Sequence, residues 1–246
     1  MWANNETGAV FPITELAEIA HAAGVLFHTD AVQAAGKVDL CAKSTCVDML
    51  SISGHKLHAP KGIGALYLRQ GTRFRPLLRG GHQEKGRRAG TENVPAIVAL
   101  GVAAELARQA FRSETEGVAA LRDVLEAALL ARVPDCRVLA ADAPRLSNTS
   151  AVVFGGIEGE AMLAHLDRAG IAVSGGSACN AGATAASHVP LAMGLAPAEA
   201  RGMIRFSLSR ETTADEIAQA AEAVAEIAQR LRGAVAPRRR GAAAYV

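Results

Sequence analysis

An α/β fold is predicted, with a mainly parallel sheet in a partial larger domain followed by a smaller carboxy-terminal α/β domain. Two observations carry this expectation. Up to about residue 93, short apolar runs alternate with amphipathic stretches, the pattern of strand–helix–strand units. Beyond it a long helical periodicity takes over, and short strands then resume between helices. Composition agrees, because half of the 246 residues are apolar and only 4% are aromatic, as suits an alanine-rich α/β core.

In chain order, Met1-Trp2-Ala3 reads as the end of a strand whose start lies upstream. Pro12 to Ala23 has the spacing of an amphipathic helix, and Val25 to Thr29 and Val47 to Ile52 are apolar runs of strand length. Gly62 to Leu68 is hairpin-like, which closes a first domain over residues 1–93. Residues 94–132 read as helical in two pieces. Leu100, Val102, Ala103 and Leu106 share a face of the first piece, and Val118 to Leu130 form the second. Strands are expected near 137–140, 150–154, 171–173 and 203–208, with helices at 158–169 and 213–232. Thr212-Thr213-Ala214-Asp215-Glu216 supplies a capping-box start for the last helix, so the second domain covers 94–232. Residues 233–246, with Arg238-Arg239-Arg240, read as a disordered, solvated tail.

Several function classes drop out. A net charge of +2 gives no electrostatic case for nucleic acid. No apolar segment is expected to be long enough for a membrane, and the amino terminus lacks the layout of a signal peptide. Cys41, Cys46 and Cys136 show no Cys-x-x-Cys pairing, so neither zinc nor a disulfide framework is indicated, and a reducing cytoplasm is the default. His55 and His58 are spaced like helical metal ligands but lack a third, and no metal is expected there.

Ser53-Gly54-His55-Lys56-Leu57 places a lone lysine directly after the apolar run 47–52. Burial disfavours an ammonium, so Lys56 either serves as an amine that condenses with an aldehyde or turns out to solvent where the strand ends. The preceding strand delivers Asp30 to the same sheet edge, with Gln33 three residues on. Ligands of open α/β sheets sit beyond the carboxyl ends of strands, so Asp30, Gln33, Ser53, His55 and Lys56 are expected to converge. A carboxylate for a pyridinium nitrogen, an imine-forming lysine, and hydroxyl and imidazole groups for a phosphate describe a pyridoxal phosphate site. Asp30 also suits the N-cap of Ala31-Val32-Gln33. A second centre is Gly175-Gly176-Ser177-Ala178-Cys179-Asn180-Ala181-Gly182, whose small polar residues read as a mobile loop around an exposed thiol; a small buried cysteine is the alternative. Arg205 lies inside the apolar run Met203-Ile204-Arg205-Phe206, where an unpaired charge is costly.

Asn4-Asn5-Glu6-Thr7-Gly8, His28-Thr29-Asp30-Ala31-Val32-Gln33, Ser53-Gly54-His55-Lys56, Ser177-Ala178-Cys179 and Ile204-Arg205-Phe206-Ser207-Leu208 occur in one order. In these motifs the chain resembles the cysteine desulfurases of the class V aminotransferase superfamily, of the nitrogen-fixation and iron–sulfur-assembly type, from residue 1 to about residue 218. The resemblance implies a fold-type-I pyridoxal phosphate enzyme. It implies that Lys56 holds the cofactor, Asp30 pairs with its ring nitrogen, Gln33 and Asn5 lie near its ring hydroxyl, and Ser53 and His55 contact its phosphate. Thr91, in Gly90-Thr91-Glu92-Asn93, matches a threonine that reaches the phosphate of the other subunit, which implies a homodimer; an N-cap role for the helix near Val94-Pro95 is compatible with this. Cys179 is implied as the nucleophile, and Arg205, with Asn5, as the substrate-binding pair. The implied reaction turns L-cysteine into L-alanine, leaves a persulfide on Cys179 and feeds a sulfur acceptor or iron–sulfur scaffold protein.

Departures from the family pattern are Gly175-Gly176 and Asn180-Ala181, where serines or threonine are more usual. The family's upstream segment, with a ring-stacking histidine and a phosphate-gripping turn, has no counterpart here, so weak cofactor binding and an exposed sheet edge are expected of this chain alone. Other readings are a selenocysteine lyase, an aminotransferase (which the Cys179 loop argues against), or a non-catalytic fragment that dimerises or docks to a scaffold protein.

Overall fold

The computed structural model describes residues 1–176 and 186–235. It has two compact units. Met1–Asn5, Ala9–Glu116 and Asp142–Leu146 form the first; Glu6–Gly8, Gly117–Ala141 and the chain from Ser147 onward form the second. The dividing line therefore falls inside a helix, between Glu116 and Gly117, whereas the sequence places it at 93/94.

In the first unit, α1 (Ile13–Ala22) buries Ile13 and Ala17. These join Trp2, Ala31, Ala34, Val47, Leu50 and Leu146 in one apolar cluster. The sheet has the order β1-β2-β3, from β1 (His28–Asp30), β2 (Met49–Ser53) and β3 (Gly64–Leu68). β1 and β2 are parallel, and β2 and β3 form the expected antiparallel hairpin. The strand expected over 25–29 is shifted. Gly24 (φ +69°) and Val25 instead close α1, their N–H groups donating to the carbonyls of His21 and Ala20, both at 2.9 Å. This is a Schellman ending, and it uses an apolar residue just past the glycine. Val25 and Leu26 accordingly stay exposed.

A short α2 (Gln83–Gly86), with Glu84 and Lys85 at positive φ, precedes α3 (Val94–Arg132). The expected pair of helices is one helix of 39 residues. Gly101 and Gly117 have open space around them and no proline intervenes, so each glycine costs only about 1 kcal/mol and the helix runs through. Asn93, not Thr91, caps it, its Oδ1 accepting from Ala96 N at 3.2 Å. By length and composition α3 could cross a membrane, which corrects the expectation that no segment could.

The second unit is built on the antiparallel sheet β4-β5-β6: β4 is Cys136–Val138, β5 is Thr149–Phe154 and β6 is Met203–Ser207. All six residues of β5 are buried. Val152 and Phe154 join Leu125, Leu129, Ile204, Phe206, Ile217 and Val224 in the main core, and Ala151 and Val153 pack with Leu139, Leu195 and Met203 in another cluster. α4 (Gly159–Arg168), the short α5 (His188–Ala192) and α6 (Pro197–Arg201), and α7 (Ala214–Val235) complete it. Thr213 and Glu216 form the expected reciprocal capping box of α7, at 3.2 and 2.8 Å. The expected strand at 171–173 is absent: Ile171 N donates to Leu166 O and Gly170 N to Asp167 O, a second Schellman ending, and only Ser174 bridges β6. The expected tail beyond residue 235 lies outside the described residues.

Candidate active site

Strand periodicity builds the first group of polar side chains. In the β1–β2 register Asp30 faces Ser51 and Thr29 faces Leu50. Thr29 and Leu50 are buried, so His28, Asp30, Ser51 and Ser53 share the other face. His28 Nε2 and Ser51 Oγ are hydrogen-bonded at 2.8 Å, as are His55 Nδ1 and Ser53 Oγ. Asp30 takes up the capping role open to it, its Oδ1 accepting from Val32 N at 2.8 Å, which leaves Oδ2 for another donor. Gln33 lies in the turn that follows and is half-buried.

Lys56 is not carried by the strand itself. β2 ends at Ser53, and Gly54–Leu57 form one turn of 3₁₀ helix. Gly54 permits this turn to approach β3's flank, because a Cβ there would lie 2.7 Å from Ile63 Cγ2. Leu57 anchors its other end among Ala35, Ala59 and Ala103. Lys56 between them is half-buried rather than fully inside, and His55 is exposed.

Sequence reasoning missed Lys37. Its Nζ donates to the carbonyl oxygen of Lys56 at 3.4 Å, and desolvation, with the Lys56 ammonium second, lowers its pKa from 10.5 to about 8. The folded chain thus releases this proton before the unfolded chain does, so stability should rise with pH between about 8 and 10.5. Lys37→Met should be more stable than the parent by about 1–3 kcal/mol at pH 7, an advantage gone above pH 10.5. Urea denaturation of both proteins at the two pH values checks this.

Of the remaining expected residues, Asn5 is half-buried and belongs to the first unit, and Thr91 is exposed in the segment before α3. Arg205 belongs to the second unit, half-buried on β6 between the buried Ile204 and Phe206. Its Nε donates to Ser207 Oγ at 3.1 Å, and its backbone pairs with Ala151 and with Ser174. Cys179 and the rest of Ser177 to Gly182 lie outside the described residues. The structure thus gathers Asp30, Ser53, His55 and Lys56 at the carboxyl ends of two parallel strands. The donor set suits a phosphorylated pyridine aldehyde: an amine, a carboxylate, and a hydroxyl–imidazole pair.

A sequence profile of the aminotransferase class-V family matches residues 1–219. The chain is 57% identical over 232 residues to the cysteine desulfurase NifS of Azotobacter vinelandii, and 56% identical over 232 residues to a cysteine desulfurase of Gluconacetobacter diazotrophicus. Each alignment covers 94% of this chain and 58% of the relative, so the chain spans under two thirds of the curated relatives it matches. Among solved structures, the NifS-like protein of Rickettsia africae superposes with a TM-score of 0.86 at 33% identity, covering 93% of this chain and 60% of that one.

Proposed function

The chain belongs to the aminotransferase class-V family, and from that premise we propose that the protein carrying it is a pyridoxal-phosphate-dependent cysteine desulfurase. The observation that carries this is the cluster of Lys56, Asp30 and the Ser53–His55 pair at the ends of β1 and β2. Identity of 57% to a cysteine desulfurase supports that reaction over a lyase or a docking fragment.

Lys56 Nζ would hold the cofactor, Asp30 its ring nitrogen, Gln33 and Asn5 its ring hydroxyl, and Ser53, His55 and Thr91 its phosphate. The bound group supplies an electron sink for bond breaking at the substrate's α-carbon. Freed by substrate, the Lys56 amine takes up the α-proton and returns a proton to the product. Arg205 and Asn5 would bind the substrate, the Arg205 guanidinium through its carboxylate. The Cys179 thiolate attacks the sulfur of L-cysteine: an S–S bond forms and the C–S bond breaks. The sulfur leaves as the outer atom of a persulfide, and the former β-carbon gains a proton and becomes the methyl group of alanine. Cys179 then passes sulfur to an acceptor or iron–sulfur scaffold protein.

A homodimer is part of this proposal. Exposed Val94, Ile97, Val98, Val102 and Leu106 on α3, with Leu77 at 92% exposure, leave apolar surface of the kind subunits bury. A cytoplasmic location accords with Cys41, Cys46 and Cys136, all free thiols.

Given L-cysteine, the protein should release alanine in step with persulfide on Cys179, read by amino-acid analysis and peptide mass mapping. Alanine without modified Cys179 would overturn the assignment. Arg205→Ala should raise KM for cysteine by about 10–100-fold, the worth of one or two charge-assisted hydrogen bonds, with a smaller effect on kcat. Arg205→Lys should recover only part of it, because an ammonium cannot make the two-pronged contact. Steady-state kinetics on both variants decide the point.

A further inference from the structure

Lys37 takes no part in the roles above, yet its amine sits where desolvation works against its charge. Stability alone would not keep an ammonium there, because a fold improves when such a charge is replaced by an apolar group. The contact it makes joins two well-held turns of the first unit. After β1, Ala31 N donates to Ser51 O at 2.9 Å, which roots that turn on β2. Ala34 and Ala35 donate back to Ala31 O at 3.0 and 2.9 Å, and the N–H groups of Lys37 and Val38 both donate to Ala34 O at 2.9 Å, with Gly36 before them at φ +72°. After β2, Gly54 O accepts from the N–H groups of His58 and Ala59, the latter at 3.0 Å. A one-turn helix leaves its last carbonyls without intrahelical donors, and that of Lys56 is among them. Lys37 Nζ donates to it at 3.4 Å. The two turns are thus joined twice, since Ala35 and Leu57 also share an apolar cluster.

We propose that Lys37 is a positioning residue for Lys56: its amine holds the Lys56 backbone carbonyl, so that the turn Gly54–Leu57 presents the Lys56 side chain from one fixed origin. This rests on the reading of Lys56 as the lysine that holds the cofactor. Without Lys37 the carbonyl would turn toward another donor, and the Lys56 Cα would shift with it. Lys37 touches neither substrate nor cofactor in this role and acts only through the placement of Lys56.

The test compares the parent with its Lys37→Met and Lys37→Arg variants by three readouts. The first is the rate at which the visible band grows when pyridoxal phosphate is added to the cofactor-free protein. The second is the entry of solvent deuterium into the α-position of L-alanine, catalysed by the holoenzyme. The third is urea denaturation of the cofactor-free protein at pH 7. Lys37→Met should slow band growth and α-exchange by at least about tenfold each, a loss of alignment, while its stability rises as stated above. Lys37→Arg, which keeps a donor for the carbonyl, should regain most of both rates. Parent rates in Lys37→Met, or no recovery in Lys37→Arg, overturn the proposal. So does a loss of rate in Lys37→Met that comes with a loss of stability, because Lys37 would then serve the fold alone. A parent protein whose borohydride-trapped label lies away from Lys56 overturns the reading of Lys56 and this proposal with it; a failure confined to the variants overturns this proposal alone.

Discussion

Lys56→Ala should abolish alanine production from cysteine, by at least about 10³-fold, and remove the visible absorption band of the bound cofactor. The expectation follows from how the side chain is held. The turn Gly54–Leu57 is pinned by Gly54 against Ile63 and by Leu57 in its apolar cluster, so Lys56 starts from a fixed backbone directly beyond β2. Reducing the holoenzyme with borohydride and mapping peptides should place the pyridoxyl group on Lys56. Lys37 makes this a demanding test, because with a pKa of about 8 it has far more neutral amine near neutrality than an ordinary lysine. Finding the label on Lys37, or on the exposed Lys61, would overturn the assignment.

Cys179→Ser should keep cofactor binding and the spectral response to added cysteine, and lose persulfide formation by at least about 10³-fold. A hydroxyl has nearly the volume of the thiol but is not ionised at neutral pH and is a poor nucleophile toward sulfur. Single-turnover mass analysis and the absorption spectrum separate the two halves of the reaction. Alanine produced by this variant at the parent rate would show the thiol to be dispensable and move the chemistry to a lyase.

The shared placement of Asp30, Ser53, His55 and Lys56 was readable in the sequence because each lies at the end of a strand or in the turn that follows it. The order of motifs supplied Cys179 and Arg205. Lys37 could not be read in this way, since its contact with Lys56 joins residues 19 positions apart. The His28–Ser51 pair had a usable signal, the two-residue period that puts both on the face of Asp30 and Ser53. In the fold, both misplaced strands began just after Gly24 and Gly170. There an apolar residue following a helix-ending glycine donates its backbone N–H back to its helix, and in a sequence it looks like the first residue of a strand. The break expected between the Leu100–Leu106 face and the Val118 to Leu130 run does not occur, since Gly117 between them weakens a helix without ending it.

β5 carries no candidate residue, yet it limits how this protein can change over evolutionary time. Its two faces feed different apolar clusters, and it pairs Ala151 with Arg205, Val152 with Ile204 and Ser150 with Phe206. A one-residue slip between β5 and β6 would exchange the faces of Arg205 and Phe206, sending a guanidinium into the main core and an aromatic ring out of it. Drift in these strands is therefore confined to substitution. Gains and losses of residues must fall in connections such as 209–213, where lineages descended from one ancestor can differ in length and still keep the arginine on its side of the sheet.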